Sequence, residues 1–179
     1  LSELVHLADV LCGVWWEMPG FNHIETIKTM WGKFQFIGDL YSYLIMNPSF
    51  ERSDMEYFLE QIRIVLAKRK KVLFLDIGAN VGLYTIGLTN RIGKNRFTVH
   101  AFEPDPVYHM LLLKNIAAND IKDVVVHNVA VGNVHMTIEA DGFRLVKDKA
   151  EKTRVRFRVR TLDSIITSDV LRRFDQIFV

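Results

Sequence analysis

Leu75-Asp76-Ile77-Gly78-Ala79-Asn80-Val81-Gly82 is the stretch whose reading decides the fold. The continuous apolar run from Val72 to Leu75 reads as a strand covered on both faces, as in a parallel sheet. It ends on Asp76 and passes straight into Gly78, Asn80 and Gly82, which predicts a tight turn into a helix over 83–91. Glycine at 78 and 82 removes the side chains that would keep a ligand from the backbone. The N–H groups at the start of the following helix favour a negatively charged group.

Working outward, Phe97 to Phe102 reads as the second strand of the same sheet. Asp105 then stands as an N-cap with Pro106 at the first helical position, and Val107, Met110, Leu111, Lys114 and Ala118 carry a helix to Asn119. Val124 to His127 is the third strand. Alternating βα units of this length imply a parallel sheet with right-handed crossovers. Beyond Asn133 the texture changes to strict alternation. Val134, Met136 and Ile138 alternate with polar residues, Asp141-Gly142 reads as a tight turn, and Arg154, Arg156, Arg158 and Arg160 alternate with Val155, Phe157 and Val159. Thr161-Leu162-Asp163 introduces a short helix, and Asp175 to Val179 begins another core strand.

Upstream, two β-rich runs carrying Ile24, Thr26 and Lys28, then Lys33, Gln35 and Ile37, flank Trp31-Gly32 and read as a hairpin. Ser53 three residues before Glu56 reads as a capping box. Met55, Phe58, Leu59, Ile62, Val65 and Leu66 follow at helical spacing, and the basic run Lys68 to Lys71 suits the helix C-terminus. Leu1 to Trp16 reads as a buried helix, too short and too often interrupted by Glu3, His6 and Asp9 to span a bilayer. The predicted class is therefore α/β: a Rossmann-like parallel sheet with flanking helices over residues 71–179, preceded by a helix and hairpin extension over 1–70. A leading Leu and a final strand that has barely begun make both ends read as cut, with the sheet incomplete at the C-terminus.

The composition is that of an ordinary soluble globular domain, 49% hydrophobic and 25% charged, and a net charge of +2 gives no argument for a nucleic-acid or membrane partner. A single cysteine, Cys12, excludes an intrachain disulfide and favours a reducing, cytoplasmic setting. The six histidines are scattered and none has metal-ligand spacing, so no metal is expected.

Two nucleotide motifs fail at the glycine turn. A dinucleotide fingerprint counted from Gly78 needs glycine where Asn80 and Leu83 stand. A phosphate-cradling loop at Gly87 to Gly93 has five residues between its glycines rather than four, and Lys94 is followed by Asn95. Asp76 discriminates further, because a carboxylate repels a diphosphate but attracts the amino group of S-adenosylmethionine. Glu103, 27 residues after Asp76, ends the second strand, where an acid takes two ribose hydroxyls. A turn-capping aspartate explains Asp76 alone; with Gly78, Gly82 and Glu103 in register, cofactor binding is the stronger reading. Ala79 and Thr85, in the turn and the helix start, complete the expected set.

LDIGANVGLYTIGL, AFEPDP, LLLKNIAAND, HNVAVGN and VRTLDSII together resemble the FkbM-type methyltransferases, a branch of the Rossmann-like S-adenosylmethionine enzymes, over about residues 50 to 179. The resemblance implies O-methylation of a hydroxyl on a glycan or small-molecule acceptor. It also implies that Gly78, Asn80 and Gly82 contact the methionine part, Glu103 the ribose, and Asn128 the adenine surroundings. Family members continue past the TLD helix into a strand with acidic residues beside the methyl group. This sequence stops at Phe178-Val179, so no catalytic residue is assigned.

Three further signals have competing readings. The arginine face of 154–160 suits an anionic acceptor or an RNA, which would make the protein an RNA methyltransferase; a charged edge strand protected from aggregation is the preferred reading, and a nucleic-acid partner is disfavoured. His100, His109 and His127 read as hydrogen-bonded structural histidines. Glu51 and the Trp31 hairpin suit either closure over the acceptor or simple packing. A non-catalytic S-adenosylmethionine-binding remnant is the remaining alternative, and oligomeric state is not legible.

Overall fold

The computed structural model describes residues 24–37, 47, 49–93, 96–146 and 149–179. The expected helix over residues 1–16, with Cys12, lies outside them. The element order is β1 (Ile24–Lys28), β2 (Lys33–Ile37), α1 (Arg52–Ala67), β3 (Val72–Ile77), α2 (Leu83–Ile92), β4 (Phe97–Phe102), α3 (Pro106–Ala118), β5 (Val124–His127), β6 (Ala130–Val131), β7 (Met136–Val146), β8 (Lys149–Arg160), a 3-10 turn (Leu162–Ser164), α4 (Ser168–Leu171) and β9 (Gln176–Phe178).

The central sheet is parallel, in the order β5-β4-β3-β9. Residues of β3 alternate between its two faces. Val72 and Phe74 join a large cluster with Trp31, Phe34, Phe36, Met55, Leu59, Ile62, Ile86 and Leu111, so the hairpin, α1, α2 and α3 cover one face together. Leu73 and Leu75 join Phe102 and Ile166, so the segment after β8 covers the other. This double coverage explains why β3 is apolar on successive residues. The chain runs from β3 outward through β4 to β5, then returns to place β9 on the opposite flank of β3. The order therefore reverses beside β3, which is where open α/β sheets bind their ligands.

The hairpin β1–β2 is antiparallel, as the sequence predicts. Its outer strand is tied down by asparagines on α3. Asn115 Oδ1 accepts the Gln35 N–H and its Nδ2 donates to the Gln35 carbonyl at 2.9 Å; one turn later Asn119 makes the same pair with Lys33, at 2.9 and 2.7 Å. The two amides thus act as a substitute neighbouring strand for β2.

Two local expectations are corrected. The first helix begins at Arg52 rather than at a Ser53 cap: Glu51 occupies the cap in a left-handed conformation with no side-chain capping bond, and Glu56 pairs with Arg52 at 2.8 Å instead. Asp141-Gly142 is no turn. β7 runs through it from Met136 to Val146, with Asp141 opposite Arg154 and Gly142 opposite Thr153. The glycine has a packing reason, since a Cβ there would lie 2.7 Å from Asp105 Oδ2 and 2.9 Å from the Phe157 ring.

The third sheet has the order β6-β8-β7. β6 pairs with Val159 and Arg160 only, so β8 up to Arg158 remains an edge on that side, in line with the charged-edge reading.

Candidate functional site

Asp76 is 8% exposed at the C-terminal end of β3. Its Oδ2 accepts the backbone N–H of Thr85 at 3.0 Å and the Thr85 hydroxyl at 2.5 Å. The residue therefore caps the first turn of α2. Its Oδ1 makes no hydrogen bond among the described residues, and the side chain lines a cleft. Burial pushes the Asp76 carboxyl above its ordinary value, and the two Thr85 bonds oppose that shift.

The turn after Asp76 is held by its own residues and by the end of β4. Gly78 (φ 83°) and Ala79 both donate to the Phe102 carbonyl, at 2.9 and 3.0 Å. Asn80 (φ 50°) donates to Glu103, Val81 donates to Asn80 Oδ1 at 2.7 Å, and Gly82 donates to the Ala79 carbonyl at 2.7 Å. All five N–H groups are thus spent, and that of Thr85 is spent on Asp76. Of the N–H groups at the start of α2, which the sequence offers to a negatively charged group, that of Thr85 is therefore taken by Asp76.

The two glycines do different work. A Cβ at Gly82, with φ 94°, would lie 2.5 Å from Leu112 Cδ1 and 3.1 Å from Ile86 Cδ1, so this position closes the helix onto α3. A Cβ at Gly78 would meet nothing within 4 Å. Gly78 faces open space.

Glu103 is 6% exposed. Oε2 accepts the Asn80 N–H and Oε1 the Asp105 N–H, both at 2.8 Å, which joins the glycine turn to the start of α3. Burial pushes its pKa up to about 7; the two backbone bonds oppose this, and the nearby Asp105 and Asp76 add to it. Each carboxylate oxygen keeps a second lone pair, so two hydroxyls can still be accepted. Asp105 also caps α3 through bonds from the N–H groups of Val107 and Tyr108, as predicted.

Asn128, after β5, donates to the carbonyls of Glu103 and Pro104 at 2.9 and 3.1 Å, pinning the loop that follows β4. It lines a recess separate from the cleft. Of the expected residues, Asp76, Gly78 and Ala79 line the cleft, Asn80 and Glu103 are coupled through one hydrogen bond, Gly82 and Thr85 lie at the root of α2, and Asn128 stands apart.

The cleft encloses about 340 Å³ at the C-terminal end of β3, walled by Phe58, Phe74, Ile77, Tyr84 and Val179 besides the three expected residues. Among the described residues no basic side chain lines it. Phe58 and Tyr84 meet edge to face at 6.0 Å, and the Tyr84 hydroxyl donates to Glu51 Oε2. Phe58 and Tyr84 were not singled out as site residues; their helical spacing signals core packing, and only the fold shows that the strand ends beside them.

His100 and His127 stack 5.2 Å apart on neighbouring strands, with His100 Nδ1 and His127 Nε2 at 3.0 Å, which fits their structural reading. Burial lowers the pKa of both. His109 departs from it, because its Nδ1 is buried with no hydrogen-bond partner among the described residues. Among those residues no group of three or more His, Cys, Asp or Glu is placed to hold a metal ion, and no helix is long and apolar enough to cross a membrane.

A parallel sheet with its cleft at the reversal point, an acid at the end of β3 and another at the end of β4 define a Rossmann-like methyltransferase domain. The Methyltransferase FkbM domain model matches residues 76–179, and the chain belongs to that family. No curated protein matches the sequence. Similar solved structures include TYW2 of P. horikoshii in complex with MeSAdo (18% identity, TM-score 0.44, covering 70% of this chain and 47% of that one). TYW2 of M. jannaschii in complex with AdoMet is 15% identical, with TM-score 0.43 and coverage of 70% and 66%. The M. jannaschii tRNA m1G37 methyltransferase is 13% identical, with TM-score 0.37 and coverage of 68% and 42%. The chain spans only part of the length of each.

Proposed function

We propose that the protein uses S-adenosylmethionine to methylate a hydroxyl on a small-molecule or glycan acceptor. The observation that carries this reading is the cleft at the end of β3, apolar and aromatic in its walls, acidic at Asp76 and, among the described residues, without a basic side chain. Such a lining repels a phosphate and suits an apolar cation.

The residues present fit this cofactor. Gly78 leaves room above the backbone where any side chain would intrude. Asp76 Oδ1, without a hydrogen bond among the described residues, suits an ammonium group, and the remaining lone pairs of Glu103 suit a pair of ribose hydroxyls. Phe58 and Tyr84 wall the cleft with aromatic rings, whose faces attract a cation. When bound, the cofactor supplies an electrophilic methyl group on a sulfonium. The chain's own part is to orient both reactants for in-line approach and to exclude water, which can provide much of the rate.

The RNA reading loses support along β8. Arg156 pairs with Glu139 at 2.8 Å and Arg154 with Asp141 at 3.5 Å, so half of the arginine face is neutralised across the strand pair. The test is formation of S-adenosylhomocysteine from S-adenosylmethionine in the presence of hydroxylated small molecules, glycans or RNA. Turnover with a hydroxylated small molecule or glycan supports the proposal, whereas turnover confined to RNA, or none with any acceptor, overturns it.

A further inference from the structure

The four arginines of β8 look equivalent in sequence and are not equivalent in the fold. Their partners on β7 follow from the register, in which Asp141 faces Arg154 and Glu139 faces Arg156. Arg158 faces Thr137, which carries no charge, and Arg160 lies beyond the start of β7. Among the described residues the side chains of Arg158 and Arg160 donate to backbone carbonyls alone, those of Asn128 at 3.3 Å and Val159 at 2.8 Å. Neither has a carboxylate partner among the described residues.

These two arginines line a recess of about 510 Å³ together with His127, His135, Asn128 and Ser164. Among the described residues no acidic side chain lines it. The two guanidinium groups carry five N–H donors each and spend one apiece on those carbonyls, so they meet here with donors to spare, beside two imidazoles; the Asn128 amide hydrogens go to the Glu103 and Pro104 carbonyls and the Ser164 hydroxyl to the Thr161 carbonyl. We propose that this recess is a binding site for a phosphate-class anion carried by a small molecule.

A phosphate has acceptor oxygens enough for such donors, and arginine forks match its geometry. A nucleic-acid strand is a poorer match. The positive charge is confined to one recess instead of forming a track, and its one stacked ring, His127, is already packed against Phe102 at 4.6 Å and against His100. A neutral purine would leave both guanidinium groups without a charged partner. Asn128 ties the recess to the loop carrying Glu103 by donating to the Glu103 and Pro104 carbonyls. The role of the anion as part of the methyl acceptor rests on the reading under Proposed function; the binding itself does not.

The test is titration of the full protein with inorganic phosphate at constant ionic strength, followed through the imidazole resonances of His127 and His135. Saturable shifts are expected at both, with affinity lowered roughly tenfold by R158Q or by R160Q and unchanged by R154Q or R156Q. Absence of saturable shifts, or equal losses in all four variants, overturns the proposal. Displacement of phosphate by S-adenosylhomocysteine also overturns it, because the recess would then belong to the cofactor. If phosphate binds as described while S-adenosylmethionine does not bind at all, the anion site stands and the methyl-transfer reading falls. Binding of a single-stranded RNA oligonucleotide that all four arginine variants weaken equally contradicts the small-molecule assignment.

Discussion

Glu103 Oε2 accepts the backbone N–H of Asn80 at 2.8 Å while Asn80 holds a left-handed φ of 50°. One carboxylate at the end of β4 thus fixes the shape of the turn at the end of β3. With its pKa pushed up to about 7 by burial, Glu103 is only partly charged at neutral pH. Its folded-state pKa lies above the ordinary value of 4.5, so the folded protein holds this proton where the unfolded chain releases it. Its contribution to the stability of the free protein therefore falls as pH rises from about 4.5 to about 7. Hydroxyl donors on a ligand favour the charged form, so affinity for S-adenosylhomocysteine should rise about tenfold between about pH 6 and pH 8. Calorimetry across that range checks this, and a flat profile in the parent protein counts against a ribose contact at Glu103.

Gly82→Ala and Gly78→Ala should separate stability from binding. Both place a Cβ at positive φ, but only at Gly82 does it strike Leu112 and Ile86. Gly82→Ala should lower unfolding free energy by about 3 kcal/mol, and Gly78→Ala by about 1 kcal/mol while weakening cofactor binding. Urea denaturation and calorimetry of the two variants provide the comparison. Equal destabilisation by both would remove the distinction.

Asn115 is fully buried and serves both carbonyl and N–H of Gln35 as well as the Val81 carbonyl, at 2.9 Å. Asn115→Ala strands those groups and should cost about 3 kcal/mol, with the hairpin amides losing hydrogen-exchange protection first. Unchanged protection at Gln35 would show that the amide is not what holds β2.

Asp76→Asn tests whether the negative charge matters beyond the cap. The variant keeps a side-chain oxygen for Thr85, so the fold should persist with a small change in stability. Affinity for S-adenosylmethionine should fall at least about tenfold, because the ammonium loses its counter-charge. Unchanged affinity would reduce Asp76 to its capping role.

Much of this was legible in the residues. β4 and β5 fall where their apolar runs end, and α3 runs from its Asp105 cap to Asn119, because local patterning and capping chemistry agree there. Where several local readings compete, long-range packing decides. Asp141-Gly142 has the composition of a turn, yet cross-strand pairing with Arg154 and the closeness of Asp105 make it mid-strand. Ser53 and Glu56 have capping-box spacing, but Arg52 takes Glu56 first. At the candidate site, the sequence singles out Asp76, Gly78 and Glu103, and the fold brings them to the ends of β3 and β4, with Glu103 bonded to the turn at Asn80. Tyr84, Phe58 and the division of the four arginines were not legible, since each depends on which distant strand lies opposite.

The most direct measurement is calorimetric titration of S-adenosylmethionine into the protein and into Glu103→Ala, with circular dichroism confirming that the variant is folded. Saturable binding by the parent and a loss of at least about tenfold in the variant are the expected results. No binding by the parent, or equal binding by both, would contradict a cofactor site built on Glu103 and the turn it holds.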